Sequence, residues 1–305
     1  MIKLGPQQIG FDTSYIMAAT GDRVPTVFVD NDRVVNLDPK DPIKVSYKEK
    51  IGDEPTGTEN PDKRKFGADP QHSGTITNGV SRIGWMSGGK AALWKDDELD
   101  DHVGAVIAKL EQLKLLESTI VIVSSDNGPV LFDGYDDGAA EKNGDHRPVG
   151  PFSGGKYSKL EGGTRVPLIV SWPGKIAPAV SDAATSQIDL LASFATLVGQ
   201  PVPAGDSVNV LDVLLGKSKV GCGAIVEEGI AGVALRSGDW KFIPPHKGQA
   251  MFKDMRSGTG LHPQLYNLAE DPAESKNLAL ENPEKLKKLS AMLDKITGRK
   301  AALNR

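Results

Sequence analysis

The chain has 305 residues, 39% hydrophobic and 25% charged, the make-up of an ordinary soluble globular protein with room for one large domain or two. A net charge of −4 and a pI near 5.8 argue against a nucleic-acid binder and give no reason to expect attachment to a membrane surface. No apolar run approaches the ~20 residues of a membrane-spanning helix, the start MIKLGPQQIGFD has no signal-peptide apolar core, and the single Cys222 excludes an intramolecular disulfide.

The first 80 residues are rich in loops. Thr26-Val27-Phe28-Val29 and Arg33-Val34-Val35 are strand candidates, and Asp30-Asn31-Asp32 between them is the turn of a hairpin. Lys48 to Asp69 is polar and interrupted by Gly and Pro, which predicts an exposed excursion. His72, in the polar loop QHSGTITNG, is expected to face solvent. Gly88-Gly89-Lys90 stands at a helix entry before Ala91-Ala92-Leu93-Trp94. Val103, Val106, Ile107, Leu110, Leu113 and Leu116 fall at helical spacing and predict an amphipathic helix packed on a sheet, with His102 a surface residue near its start.

Ile120-Val121-Ile122-Val123 then forms a β-branched apolar run of the kind found in buried parallel strands. It stops at Ser124-Ser125-Asp126-Asn127-Gly128-Pro129, which leaves a carboxylate and an amide oxygen at a strand's C-terminal end. In an α/β sheet that is a ligand position, and the two oxygens suit a hard cation. On their own they are also a common turn sequence. Lys156 follows Gly154-Gly155, where bare backbone lets an anion come close. Glu161 and Arg165 bracket a Gly-Gly turn as a structural pair, and His146 lies in a neighbouring loop.

Ser186-Gln187 caps a helix whose stripe is Ile188, Leu190, Leu191, Phe194, Leu197 and Val198, with Asp189 answering the helix dipole. A short helix within 207–216 leads to a smaller subdomain. There strands at 224–227, 233–236, 240–243 and 265–268 make a meander, and Cys222 packs as a small apolar residue at a strand start. The last helix is bracketed by Asn282 as N-cap, Pro283 at its first position and Gly298 at its end.

SDNGP followed by GGKYSKLEGGTRVPLIVSWPG resembles the downstream half of the formylglycine-dependent sulfatases, the arylsulfatase branch of the alkaline-phosphatase superfamily. The likeness extends from Gly10-Phe11-Asp12 to the LYNLAEDPAESKNLA segment. It implies an α/β fold with a mostly parallel sheet flanked by helices over residues 1–218, incomplete here, and an antiparallel sheet plus helix over 219–305. It implies hydrolysis of sulfate esters at a divalent cation, calcium in most members, by a formylglycine nucleophile made from Cys or Ser in C/S-x-P/A-x-R. By matching motifs, Asp126 and Asn127 correspond to the later metal pair and Lys156 to a lysine on the sulfate.

No C/S-x-P/A-x-R occurs in the 305 residues: Ser171-Trp172-Pro173-Gly174-Lys175 ends in Lys, and Cys222 has the wrong context. The early metal aspartates have no counterpart either, and an internal segment is expected to be missing near Asp100–Asp101. The resulting expectation is a sulfatase-family chain without activity of its own. A full-length relative would act on a sulfated small molecule or glycan in the periplasm or outside the cell. The competing reading is a non-catalytic scaffold for an anionic ligand or a partner. A phosphatase or phosphodiesterase of the same superfamily is a third, for which GGKYSKLEGGTRVP is the wrong pattern.

Overall fold

The computed structural model describes residues 5–93, 99–130, 133–230, 232–252 and 255–298. They divide into two compact units, Met1–Val103 with Leu131–Gly144, and Gly104–Val130 with Asp145–Arg305. The second unit takes residues from both sides of the 218/219 boundary drawn from the sequence. Among the described residues no helix is long and apolar enough to cross a membrane.

The first unit is built from short antiparallel pieces. β1 (Tyr15–Met17), β2 (Phe28–Asp30) and β3 (Arg33–Val34) form a three-stranded sheet. The expected hairpin is present: Asp30 faces Arg33, and Asn31 takes the left-handed φ of 55° that the tight turn needs. Val24, Val27, Met86 and Ala92 pack together as its core. His72 departs from expectation, being only 5% exposed. Its Nδ1 lies 2.9 Å from Asp69 Oδ1, its Nε2 lies 3.5 Å from Asp22 Oδ2, and its ring sits 4.4 Å from that of Tyr135. The hydrogen bond between Nδ1 and Asp69 gives the buried imidazole a polar partner, and a second carboxylate stands near its other nitrogen.

The apolar spacing produces helix α1 (Leu99–Gln112), whose residues from Gly104 on belong to the second unit, but the helix buries little. Val103, Ile107 and Leu110 are half-buried, while Val106 is 58% exposed. The Asp100–Asp101 position falls inside α1, and the side chain of His102 lies outside the described residues. β4 (Val121–Ser124) pairs antiparallel with β5 (Leu168–Ser171), Ser124 facing Leu168 and Val121 facing Ser171. The expectation of a central strand in a parallel sheet is therefore not met by the described strands, whose named pairs are all antiparallel. A parallel pair needs a crossover that brings the chain back to its starting end. Here the chain leaves β4 through loops and the four-residue helix α2 (Glu161–Thr164) and returns beside it in the opposite direction.

Helix α3 (Asp189–Leu197) takes Ile188, not Ser186 or Gln187, as its N-cap, with no side-chain cap bond. It also leaves much of its stripe outside, Leu191 and the flanking Ile188 and Val198 each being more than half exposed. Asp189 does more than answer the dipole. It is buried, and its carboxylate accepts from the Ser186 amide at 2.8 Å, the Val208 amide at 2.9 Å and the Cys222 thiol at 3.0 Å.

The meander is the firmest part. β6 (Ile225–Gly229), β7 (Gly232–Ser237), β8 (Trp240–Ile243) and β9 (Gln264–Asn267) lie side by side in that order. Alternation of side chains gives the sheet two working faces. Leu235, Phe242 and Leu265 meet Leu289 and Leu293 of α4 (Pro283–Thr297), each such side chain contributing about 1.5–3 kcal/mol on full burial. Ala234, Ile243 and Tyr266, on the other face, pack against Leu160. The loop that carries Lys156 is thereby fastened to the sheet.

Candidate functional site

β4 ends where Ser124 turns its hydroxyl to the Pro167 carbonyl, at 2.8 Å. The Ser125 hydroxyl then donates to the carbonyl of Asn127 at 3.0 Å, closing a turn that presents Asp126 to solvent and leaves Asn127 half-buried. The turn reading and the ligand reading of these residues are thus compatible, because the turn is what exposes the side chains.

The lysine-bearing loop is held to this turn through backbone. The Lys156 amide donates to the Pro129 carbonyl at 2.9 Å, and the Gly128 amide donates to the Gly163 carbonyl at the same distance. Gly154 sits at φ 87°, a conformation that favours glycine, just before the lysine. Tyr157 is held at φ 78°, an uncommon state for a bulky residue. Its ring is 46% exposed and lies 5.6 Å from the Lys156 ammonium.

These loops enclose an open cavity of about 640 Å³ whose lining includes Asp126, Asn127, Lys156, Phe152 and Arg165. The three residues proposed from the sequence are therefore brought to one cavity from two separate loops. His146 is exposed, in the loop before the lining begins at Pro148. The sequence reading missed Arg165 as a site residue. Its Nη1 is 3.7 Å from Glu161 Oε2, so the expected pair exists, but its guanidinium also stands 4.7 Å from the Phe152 ring and lines the cavity. The available signal was an arginine a few residues beyond Lys156 on the same glycine-rich loop.

Lys156 and Arg165 line the cavity with two cationic side chains, and Asp126 with Asn127 offers hard oxygens. The oxygens are the right chemistry for calcium but too few. Ca²⁺ takes about 6–8 oxygen ligands, and the described residues hold no group of three or more His, Cys, Asp or Glu that could bind a metal ion. Cys222 is not a nucleophile in waiting. Burial, then the hydrogen bond and charge of Asp189, push its thiol up to about 12.

The Sulfatase family model matches residues 97–200. An N-acetylgalactosamine-6-O-sulfatase of Bacteroides thetaiotaomicron is 40% identical over 354 aligned positions, covering 96% of this chain and 69% of that protein. The alignment is longer than the chain itself, so the relative carries segments inside the matched region that have no counterpart here. Human arylsulfatase A is 33% identical over 199 positions, 59% of this chain and 37% of that protein. A solved sulfatase structure from work on glycosaminoglycan metabolism in Bacteroides thetaiotaomicron superposes with a TM-score of 0.89 at 39% identity, over 97% of this chain and 75% of its own.

Proposed function

Because the chain belongs to the sulfatase family, whose members hydrolyse sulfate esters, we propose that its cavity takes the sulfate group of a sulfated amino sugar. The fold is accordingly the alkaline-phosphatase-like α/β fold of sulfatases. The observation that carries the proposal is that Asp126, Asn127 and Lys156, chosen by motif from separate loops, line one cavity. The Lys156 ammonium neutralises the sulfate oxygens, and the Arg165 guanidinium offers a second, forked donor set. Asp126 and Asn127 supply two oxygens toward a divalent cation, calcium by the family resemblance, and too few to hold it alone. The name of the Bacteroides relative supports a 6-sulfated N-acetylhexosamine as the ligand class, and the likeness to arylsulfatase A supports simple aryl sulfates as the narrower alternative.

The 305 residues include no motif for a formylglycine nucleophile, and the one thiol is engaged with Asp189. With no attacking group, the charges around a bound sulfate have no reaction to assist. The chain on its own is therefore expected to bind sulfate and not to turn it over. The test is a titration with inorganic sulfate and with N-acetylgalactosamine 6-sulfate, beside a 4-nitrophenyl sulfate assay. Lys156→Ala should weaken both ligands by about tenfold, the loss of one charge-assisted contact, with aryl sulfate turnover at background throughout. Binding indifferent to Lys156, or turnover abolished by Asp126→Ala, would overturn the reading.

A further inference from the structure

Glu161, the first residue of α2, is wholly buried. Its Oε1 accepts from Lys241 Nζ at 3.0 Å, and its Oε2 stands 3.6 Å from Arg236 Nη1. Its own amide donates to Glu274 Oε2 at 2.7 Å. Lys241 is equally buried, on the β8 face that also carries Ile243, and its ammonium meets Glu227 Oε2 at 2.5 Å. Three carboxylates thus converge on one lysine beneath the lysine-bearing loop.

Stability alone is a poor account of such a cluster, since apolar residues of the same volume commonly do as well or better. What the charges add is direction. The two residues after Glu161 are those that touch the cavity loops: the Gly162 amide donates to the Ser153 carbonyl at 2.7 Å, and the Gly163 carbonyl receives the Gly128 amide, next to Asn127. A Cβ on Gly128 or on Gly162 would collide with backbone, so these contacts tolerate no slack.

We propose that the Glu161–Lys241 ion pair is a positioning device for the cavity: by fixing α2 on the sheet it sets where Asp126 and Asn127 stand against Lys156. Neither partner lines the cavity, and the device acts through Gly162 and Gly163. The claim about the cavity's geometry stands by itself. Its consequence for sulfate rests on the function proposed above.

The test compares Glu161→Ala, Glu161→Gln and Lys241→Met with the wild type by amide hydrogen exchange and by titration with inorganic sulfate. In Glu161→Ala the Gly128 and Lys156 amides should lose about tenfold protection while Leu289 and Leu293 in α4 keep theirs, a local rather than global opening. Glu161→Gln, which still accepts from Lys241, should restore most of the loss, and Lys241→Met should reproduce it. Unchanged protection at Gly128 and Lys156, or an equal loss throughout α4, would overturn the proposal. Sulfate affinity should fall in step with the exchange. If exchange responds as stated while wild-type sulfate binding ignores Lys156, the sulfate reading fails and the positioning claim stands.

Discussion

Gly128 and Gly163 meet backbone to backbone, the amide of the first donating to the carbonyl of the second at 2.9 Å with no side chain between them. A Cβ built on Gly128 would fall inside the van der Waals surface of the Gly162 carbonyl. Because the obstacle is backbone, no rotamer change relieves it. Gly128→Ala should therefore destabilise the second unit by about 3 kcal/mol, in the range of overpacked sites, and remove Lys156-dependent sulfate binding. Denaturant unfolding checks the first outcome and titration the second.

Glu274 makes the protein's stability depend on pH near neutrality. Burial raises its carboxyl to about 7, Lys241 opposes the rise, and the charges of Glu161 and Glu227 add to it. Burial likewise raises Glu227. A carboxyl that holds its proton more tightly when folded contributes stability that is fully present below its ordinary 4.5 and is lost as pH rises through about 7. The unfolding free energy should thus be lower at pH 8 than at pH 4.5 by about 3 kcal/mol, because folding moves this carboxyl from 4.5 to about 7. Glu274→Gln keeps an acceptor for the Glu161 amide and should flatten much of that slope. An unchanged slope in the variant would remove Glu274 as its source.

Cys222 should resist alkylation at pH 8, because its thiol is raised to about 12 by burial and by Asp189. Asp189→Asn removes the neighbouring charge and should speed labelling by iodoacetamide by about tenfold, one unit of thiolate availability. Equal rates in the two proteins would show that burial alone protects the sulfur.

His72 anchors the first unit through its Nδ1 hydrogen bond with Asp69 and its closeness to Asp22 and Tyr135. His72→Ala leaves a void beside Tyr135 and two carboxylates without their shared partner. It should cost about 2–4 kcal/mol in thermal unfolding and leave Lys156-dependent sulfate binding within about twofold of wild type, the usual independence of separate sites.

What the sequence disclosed was local or carried by motif. Asn282-Pro283 and Gly298 bracket α4 because an end signal needs only its neighbours. The β2–β3 hairpin follows from Asp30 to Asp32, and ordered short patterns single out Asp126, Asn127 and Lys156, which line one cavity. The features it hid are made by distance. Glu161 finds Lys241 80 positions away and Glu274 113 away, and nothing in LEGGTR distinguishes a surface ion pair from a buried one. His72 looked exposed because its loop is polar, and its burial depends on Asp22 and Tyr135 arriving from far along the chain. The run 120–123 is apolar enough for a strand buried on both sides, yet composition does not say which way its neighbour points.

On α3 and at its two ends, Leu191, Ile188 and Val198 are 58%, 57% and 65% exposed, and Ile169 on β5 is 60% exposed. Such surface sets a ceiling on working concentration. Dilute protein keeps it wet at a cost spread over many water molecules, whereas crowded protein hides it by sticking to its own copies. Light scattering should rise steeply with concentration. Leu191→Lys with Val198→Glu, which leaves every cavity residue in place, should raise the solubility limit several-fold.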